Sequence, residues 1–240
     1  MPSAARLTGT ATILLAFAFN VPFAMLGSSF DYPGILRRPA AEVLEKFHAG
    51  GAGLVLTWYG FMLSAVFMLP VAAALGAHLP ALRRRDALRA IGMFAGLAAS
   101  LLQAIGLSRW VFVVPDLARI HSDPQSSELA RANAQATFDL LNHWGGVAIG
   151  EHLGQIFTVL FVLCLAISQI VDSGKLNKAA GSIGILTAAL ITIGLGEGIM
   201  ISIAAEPGIL GAFSVLGYMA FALWLMVTGA SLFRNQPLAT

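Results

Sequence analysis

Six long apolar stretches, separated by more polar connections, make up most of the chain. In windows of about 19 residues they lie at roughly 7–29, 50–77, 88–114, 146–171, 180–205 and 208–232. A helix needs about 20 mostly apolar residues, at about 1.5 Å each, to cross the hydrocarbon core of a bilayer. The pattern therefore predicts an all-α polytopic bundle of six transmembrane helices, forming one domain over residues 1–240.

The composition agrees with this class, since 58% of the residues are hydrophobic and 11% are charged. Soluble domains carry about 25% charged residues, so a soluble enzyme is excluded. The net charge of +2 comes from a few basic residues at segment ends and does not indicate a nucleic-acid partner. The single cysteine, Cys164, allows no intrachain disulfide. The first apolar run lacks a small-residue cleavage site, so we expect a retained span.

The basic residues predict the orientation. Those on one side of the bundle are Arg6, Arg83, Arg84, Arg85, Arg89, Lys175, Lys178 and Arg234. Cytoplasmic loops carry an excess of Lys and Arg, so both termini are predicted to be cytoplasmic. The long connections 30–49 and 115–145 then lie on the outer side, where basic and acidic residues are balanced.

Each long outer connection also contains a helical pattern. In the first, a helix starting at Pro39 would present Val43, Leu44 and Phe47 on one apolar side. In the second, Asp123 is predicted to cap a helix with Pro124 at its first position, which ends at Gly145 and Gly146. We expect two amphipathic helices across the outer mouth of the bundle.

The segment "GEHLGQ", residues 150–155, places polar groups inside the fourth span. At 100° per residue, Gly146, Gly150 and Gly154 form a stripe for close helix packing. Glu151, Gln155 and Thr158 form a second stripe beside it, with Trp144 on the same side and His152 at its edge. A charge at the bilayer centre costs about 2.5–3.5 kcal/mol on insertion scales, so Glu151 is expected to face the bundle.

Other spans become polar at similar depth. Below the outer helix ends, Glu151 lies roughly 8 Å down, Asn20 and Glu197 roughly 12 Å and Gln103 roughly 14 Å. The inner halves of the spans are almost wholly apolar, so a pocket that opens outward is predicted rather than a channel. The candidate ligand-binding residues are Asn20, Tyr59, Gln103, Arg109, Glu151, His152, Gln155 and Glu197.

Structural interpretations of the same residues stay open. Glu151 paired with Arg109 or His152 would be a clamp between helices, and Glu197 would be a buried neutral acid. Four aromatic residues are predicted to form a belt at the outer interface: Trp58, Tyr59, Trp110 and Trp144. His48 and His143 are interpreted as interfacial, and no metal site is predicted. No catalytic signature is present, so catalytic residues and cofactors stay unassigned.

Four stretches carry a resemblance to a known family: residues 30–44 "FDYPGILRRPAAEVL", 58–70 "WYGFMLSAVFMLP", 101–118 "LLQAIGLSRWVFVVPDLA" and 141–155 "LNHWGGVAIGEHLGQ". With these the chain resembles bacterial multi-pass membrane proteins known as a domain of unknown function. The resemblance implies one membrane domain in the bacterial cytoplasmic (inner) membrane and assigns no residue a role.

Three functions therefore remain in view, with the lipid bilayer and a small molecule as partners. The first is binding or sensing of a small ligand in the outward pocket. The second is an enzyme in which Glu151 acts as general base and His152 as its partner or as a metal ligand. The third is a proton-coupled transporter that uses Glu151 and Glu197 as proton sites.

Overall fold

The computed structural model describes residues 3–234, and its described part consists of helices and connections without a strand. Residues 1–2 and 235–240, and the side chain of Arg234, lie outside the described residues. The helices are α1 (Ala4–Phe30), α2 (Ala40–His78), α3 (Asp86–Phe112), α4 (Val114–Ser122), α5 (Glu128–Leu141), a π-helical segment (Asn142–Leu153), α6 (Gly154–Val171), α7 (Lys175–Gly194), α8 (Gly196–Ser202) and α9 (Leu210–Arg234). Short 3₁₀ turns occupy Gly34–Arg37 and Pro80–Leu82.

Within residues 3–234, six helical stretches are long and apolar enough to cross a membrane, as the sequence predicts. Their principal helices α1, α2, α3, α6, α7 and α9 pack in chain order, and α9 packs against α1, which closes a ring. This arrangement follows from the connections, because most of them are too short to skip a neighbouring helix. The ring therefore has a single interior, which all six spans share.

The half of the ring next to the basic connections is filled by apolar side chains. Leu15, Met68, Leu75, Phe161 and Trp224 are all buried in this cluster. Glycines allow the helices to approach closely: a Cβ on Gly96 would lie 2.7 Å from that of Ala72 and 2.8 Å from the Phe161 ring. Close van der Waals packing of this kind holds membrane helices together, since lipid tails are as apolar as leucine.

One polar network interrupts this inner half, which the sequence predicts to be almost purely apolar. The buried Gln169 donates to Thr228 Oγ1 at 3.0 Å and accepts from Trp224 Nε1 at 3.1 Å. Gln169 of α6 and its partners Thr228 and Trp224 of α9 bond to one another. They therefore satisfy their own polar groups and do not form a continuous polar route across the membrane. Hydrophobicity windows average over such isolated residues and do not detect them.

The first outer helix is the beginning of α2. Gly51 has φ 55° and ψ −153°, so it breaks the helical backbone and lets residues 40–50 take a direction different from that of the span. Only glycine adopts this conformation at low cost, because a Cβ would clash with the backbone. Val43, Leu44 and Phe47 are buried against the aromatic cluster below.

The second outer helix differs from the prediction at both ends. It begins at Glu128 and not at Pro124, since Ser127 Oγ accepts the N–H of Ala130 at 3.2 Å. Asp123 is therefore not its cap; its Oδ1 accepts the N–H of Gln125 at 2.8 Å and shapes a turn. The helical backbone also does not end at Gly145 and Gly146, because both lie inside the π-helical segment Asn142–Leu153. The Arg109 guanidinium packs directly against Gly146 there.

Candidate functional site

A cavity of about 360 Å³ occupies the other half of the ring, beneath the connection between α1 and α2. Every spanning stretch contributes to its wall. The aromatic lining residues are Phe19, Phe23, Tyr32, Trp58, Phe61, Trp110 and Tyr218. The polar lining residues are Arg37, Gln103, Arg109, Glu151, Gln155, Glu197 and Ser214. The size falls in the range of small-molecule sites, which is about 300–1,000 Å³.

Three charged side chains meet at the wall of this cavity. Arg37, on the 3₁₀ turn, donates from Nη2 to Glu151 Oε2 at 2.6 Å and from Nε to Glu197 Oε1 at 3.1 Å. The side chains are 29% exposed for Arg37, 28% for Glu151 and 17% for Glu197, so all three are partly shielded from water. Charge-assisted hydrogen bonds are stronger than neutral ones, and here they tie the connection to the π-helical segment and to α8.

The carboxylates and the surrounding protein set the protonation states of Arg37 and Tyr32 in the connection between α1 and α2. Burial opposes the charged form of Arg37, but the carboxylates of Glu151 and Glu197 outweigh it, so the pKa of Arg37 is raised. Burial, reinforced by the charge of Glu151, also raises the pKa of the Tyr32 phenol. At neutral pH the cavity therefore contains a guanidinium cation and a neutral phenol that can donate a hydrogen bond.

Arg109 does not pair with either glutamate, contrary to the prediction. Its Nη1 donates to the carbonyl of Gly106 in its own helix, and its Nη2 donates to Asn142 Oδ1 at 3.2 Å. The guanidinium carbon also lies 5.1 Å from the Trp110 ring centroid, within cation–π range. The side chain is buried and fills the space that Gly146 leaves empty, which turns it away from Glu151.

The π-helical segment decides which residues of "GEHLGQ" face the cavity. Its bonds run from i to i+5, as from the Gly154 N–H to the Ile149 carbonyl, which gives about 4.4 residues per turn. Trp144 and Glu151 would share a side in an α-helix, but in a π-helix they lie on opposite sides. Glu151 accordingly lines the cavity, while Trp144 is 66% exposed.

The glycines of this segment pack as the small-residue stripe predicts. A Cβ on Gly106 of α3 would lie 2.6 Å from the Cα of Gly150, and one on Gly154 would lie 3.0 Å from Gln103 Cγ. This contact brings α3 close enough for Gln103 to reach the cavity wall. Gln103 Nε2 donates to Thr158 Oγ1 at 2.9 Å and to the Tyr218 hydroxyl at 3.3 Å.

Of the eight candidate residues, the structure brings five to the cavity wall: Gln103, Arg109, Glu151, Gln155 and Glu197. The other three lie elsewhere. Asn20 donates to the Ala16 carbonyl of its own helix at 2.7 Å, and Tyr59 is 40% exposed on the outside of α2. His152 lies against Gly198 of α8, and its buried Nδ1 has no hydrogen-bond partner within residues 3–234.

Several polar groups in the cavity wall have no hydrogen-bond partner among the described residues. The Trp58 Nε1, Arg109 Nε and Ser214 Oγ atoms are buried without one, and Gln155 adds a whole amide. Gln155 is 7% exposed and lines the cavity, yet its amide makes no hydrogen bond to any described residue. Buried amides are normally hydrogen-bonded, because leaving one unpaired costs about 1–3 kcal/mol. An amide in this position is available to a molecule inside the cavity.

Two tryptophans predicted for the interfacial belt belong to the interior. Trp58 and Trp110 are fully buried and stack with ring centroids 4.6 Å apart and planes inclined by 8°. Phe47 of the first outer helix stacks on Trp110 at 5.6 Å, and the Tyr32 ring centroid lies 5.3 Å from that of Trp58, so neither indole reaches the lipid interface. Hydropathy cannot distinguish these two environments, since both favour a large ring with one polar group.

Sequence reasoning missed Arg37, Tyr32 and Tyr218. From the sequence, Arg37 belongs only to the charge balance of the outer connection, whereas in the structure it pairs with the in-span carboxylates of Glu151 and Glu197. A signal existed in the charge count. Glu151 and Glu197 share one cation in the outer half of the spans, Arg109, so a second cation from an outer connection was to be expected. For the tyrosines the sequence offered no comparable signal.

The described part of the chain contains no group of three or more His, Cys, Asp or Glu side chains placed to hold a metal ion. His48 and His143 are both exposed, and His143 Nδ1 lies 2.9 Å from the Asp139 carbonyl. The cavity wall combines charged and amide groups with aromatic rings.

The six-helix ring with its internal cavity defines a multi-pass membrane helix bundle. The chain belongs to the family described as "Domain of unknown function (DUF4386)", whose model matches residues 7–229. No curated protein and no solved structure matches the chain.

Proposed function

We propose that this protein binds or senses a small amphipathic molecule in the aromatic cavity, on the side predicted to face outward. The observation that carries the proposal is the unpaired amide of Gln155, which is 7% exposed and lines a cavity of about 360 Å³. Close-packed protein interiors normally leave neither a space of this size nor an unpaired amide. Both are expected of a site whose occupant supplies the missing contacts.

The walls define the chemistry of the occupant. Phe19, Phe23 and Phe61 offer apolar ring surface, and Tyr218 stacks on Phe19 with centroids 5.6 Å apart. In the same wall, Gln155 and the ion-paired carboxylates offer hydrogen-bond acceptors, and Tyr32 offers a donor. A molecule with an apolar, preferably aromatic, body and one polar end matches this combination of ring surfaces and hydrogen-bonding groups.

Binding is favoured over the two alternatives by what surrounds the glutamates. An enzyme using Glu151 with His152 would need both groups at one substrate, whereas His152 packs against α8 and does not line the cavity. A proton-coupled transporter would need a route to the other side of the membrane. Below the cavity the rings of Tyr218, Phe221, Trp224 and Phe161 follow one another at 5.6–6.2 Å, which supports a closed floor.

The experiment uses 4-phenylbutan-1-ol as a probe, because it combines a phenyl ring with one neutral polar end. The full chain, in phosphatidylcholine nanodiscs, is titrated calorimetrically with empty nanodiscs as the blank. Val215→Trp fills the cavity, and Val21→Trp places the same residue on a lipid-exposed surface of α1 as the matched control.

Binding to the wild type and to Val21→Trp, with at least about tenfold weaker binding to Val215→Trp, is the expected result. Equal heats for all three proteins would mean that the alcohol only partitions into lipid, and the proposal would be rejected. The melting temperature supplies a second readout, because a ligand specific for the folded state raises it.

A further inference from the structure

We propose that the molecule held in this cavity carries one cationic group and that the Arg37 guanidinium occupies the place of that group in the described conformation. The inference rests on the proposed function and names the chemical class of its ligand: an amphipathic organic cation with an aromatic or other apolar body, such as an aryl-alkyl amine or an amidine. Binding would then exchange one cation for another between Glu151 and Glu197.

The first argument is the charge balance of the cavity wall. Arg37 and Arg109 supply two positive charges, and Glu151 and Glu197 supply two negative ones. Charges in a poorly hydrated interior are costly unless they are paired. An added cation would leave the site positive if Arg37 stayed, and an added anion would leave it negative. Replacement of Arg37 by a cationic ligand keeps the site neutral.

The second argument is that the carboxylates of Glu151 and Glu197 can accept further hydrogen bonds. Arg37 engages Oε2 of Glu151 and Oε1 of Glu197, and no other hydrogen bond to either carboxylate is made by the described side chains. An ionised carboxylate can accept about four hydrogen bonds. A ligand ammonium or amidinium can therefore reach both glutamates, while its neighbouring polar atoms bond to the unpaired amide of Gln155.

The third argument is that the backbone of the turn does not depend on the Arg37 side chain for its position. The backbone of its turn is anchored independently, because Ile35 and Leu36 are buried and Asn142 Nδ2 donates to the Leu36 carbonyl at 3.1 Å. The Arg37 side chain is 29% exposed. Its guanidinium can leave the two carboxylates by side-chain rotation toward water while the turn remains in place.

The aromatic walls complete the recognition. The cavity is lined by Tyr32, Trp58 and Phe61, whose ring faces attract organic cations electrostatically. The same walls would offer an anionic ligand no compensation for the two carboxylates beside it. A cationic ligand is therefore the one that uses both the charged groups and the aromatic rings of the cavity.

The test compares three probes that share one body: 4-phenylbutylamine, 4-phenylbutan-1-ol and 4-phenylbutanoate. Each is titrated into the full chain in phosphatidylcholine nanodiscs, with empty nanodiscs as blanks. The proteins are the wild type, Arg37→Gln, Arg37→Lys, and Arg37→Gln combined with Glu151→Gln. Arg37→Lys keeps a tethered cation and is the matched control.

Removal of the tethered cation is expected to tighten binding of 4-phenylbutylamine at least about tenfold in Arg37→Gln, while Arg37→Lys stays close to the wild type. The gain should disappear when Glu151→Gln is added. Unchanged or weaker amine binding in Arg37→Gln overturns the inference, and so does wild-type protein that prefers 4-phenylbutanoate. If the alcohol still binds and Val215→Trp still abolishes that binding, the proposed function stands without the inference.

A second measurement on the wild type covers the case in which Arg37→Gln does not fold. Phenylglyoxal modifies exposed guanidinium groups, and the modification of Arg37 is followed by peptide mass spectrometry. Saturating 4-phenylbutylamine should accelerate modification of Arg37 several-fold, and 4-phenylbutan-1-ol should not. An Arg37 rate that is insensitive to the amine overturns the exchange. If none of the three probes binds any folded variant, the inference and the proposed function both fall.

Discussion

Arg37 and Glu151 are 114 positions apart in the chain, yet their Nη2 and Oε2 atoms lie 2.6 Å apart. The pair connects the turn above the cavity to the π-helical segment in its wall. Both side chains are less than a third exposed, so the interaction is less screened by water than one at the surface.

The weaker screening of the Arg37–Glu151 pair by water can be measured as a coupling free energy. A double-mutant cycle with Arg37→Gln and Glu151→Gln should give at least about 1 kcal/mol in the free energy of unfolding. The matched pair is Arg38 with Glu42, also 2.6 Å apart but 42% and 48% exposed, whose coupling should be clearly smaller because water screens it. Equal couplings would show that the cavity gives the partly shielded pair Arg37–Glu151 no advantage.

Gln155→Leu should separate binding from stability. The substitution removes an amide that bonds to no described residue, so the melting temperature should stay the same or rise. The affinity for 4-phenylbutan-1-ol should fall about tenfold, because one hydrogen bond to the alcohol is lost. A loss of stability with unchanged affinity would mean that the amide serves the fold.

Gly106→Ala should disrupt the contact between α3 and the π-helical segment. The new Cβ would lie 2.6 Å from the Cα of Gly150 and 3.0 Å from the carbonyl oxygen of Gly145, and neither backbone atom can move alone. Overpacking of this kind costs about 1–3 kcal/mol, which should appear as a lower melting temperature. In Gly53→Ala nothing lies within 4 Å of the new Cβ, so no loss is expected.

Trp110→Ala tests whether the stacked indoles support the outer helices. Trp110 is buried between Trp58 and Phe47, so its removal should cost about 3–5 kcal/mol in the free energy of unfolding. The control is Trp144→Ala, at a position that is 66% exposed, where the change should be small. Similar losses at the two positions would contradict the separation of buried and peripheral tryptophans.

The predicted orientation can be checked in intact cells. With Cys164→Ala as background, a membrane-impermeant maleimide should label Gln125→Cys from outside, because that residue is exposed in the connection between α4 and α5. Ser173→Cys, exposed between α6 and α7, should be labelled only after permeabilisation. The reverse pattern would invert the topology and place the cavity on the cytoplasmic side.

The number and class of the helices could be predicted from the residues alone, because an apolar stretch of spanning length has few alternatives in lipid. The bundle-facing placement of Glu151 and Gln155 could also be predicted, since the bilayer penalises polar groups that face it. These statements depend on one segment and its surroundings at a time, which is the information that a hydropathy pattern contains.

Other features depend on contacts between distant segments. The partner of Glu151 is Arg37 and not Arg109, because Arg109 is drawn into the space beside Gly146 and bonds to Asn142. Trp110 is stacked in the interior because Phe47 of the first outer helix, which turns at Gly51, packs on it.

From the sequence by itself came a six-span helical bundle that becomes polar on one side of the membrane, because hydrophobic length and the cost of buried charge act locally. The tertiary structure alone decided which charges pair, which aromatic rings line a cavity and where the helix widens to a π-helix. Each of these depends on the shape that six helices leave between them, and that shape is a property of their packing and not of any one segment.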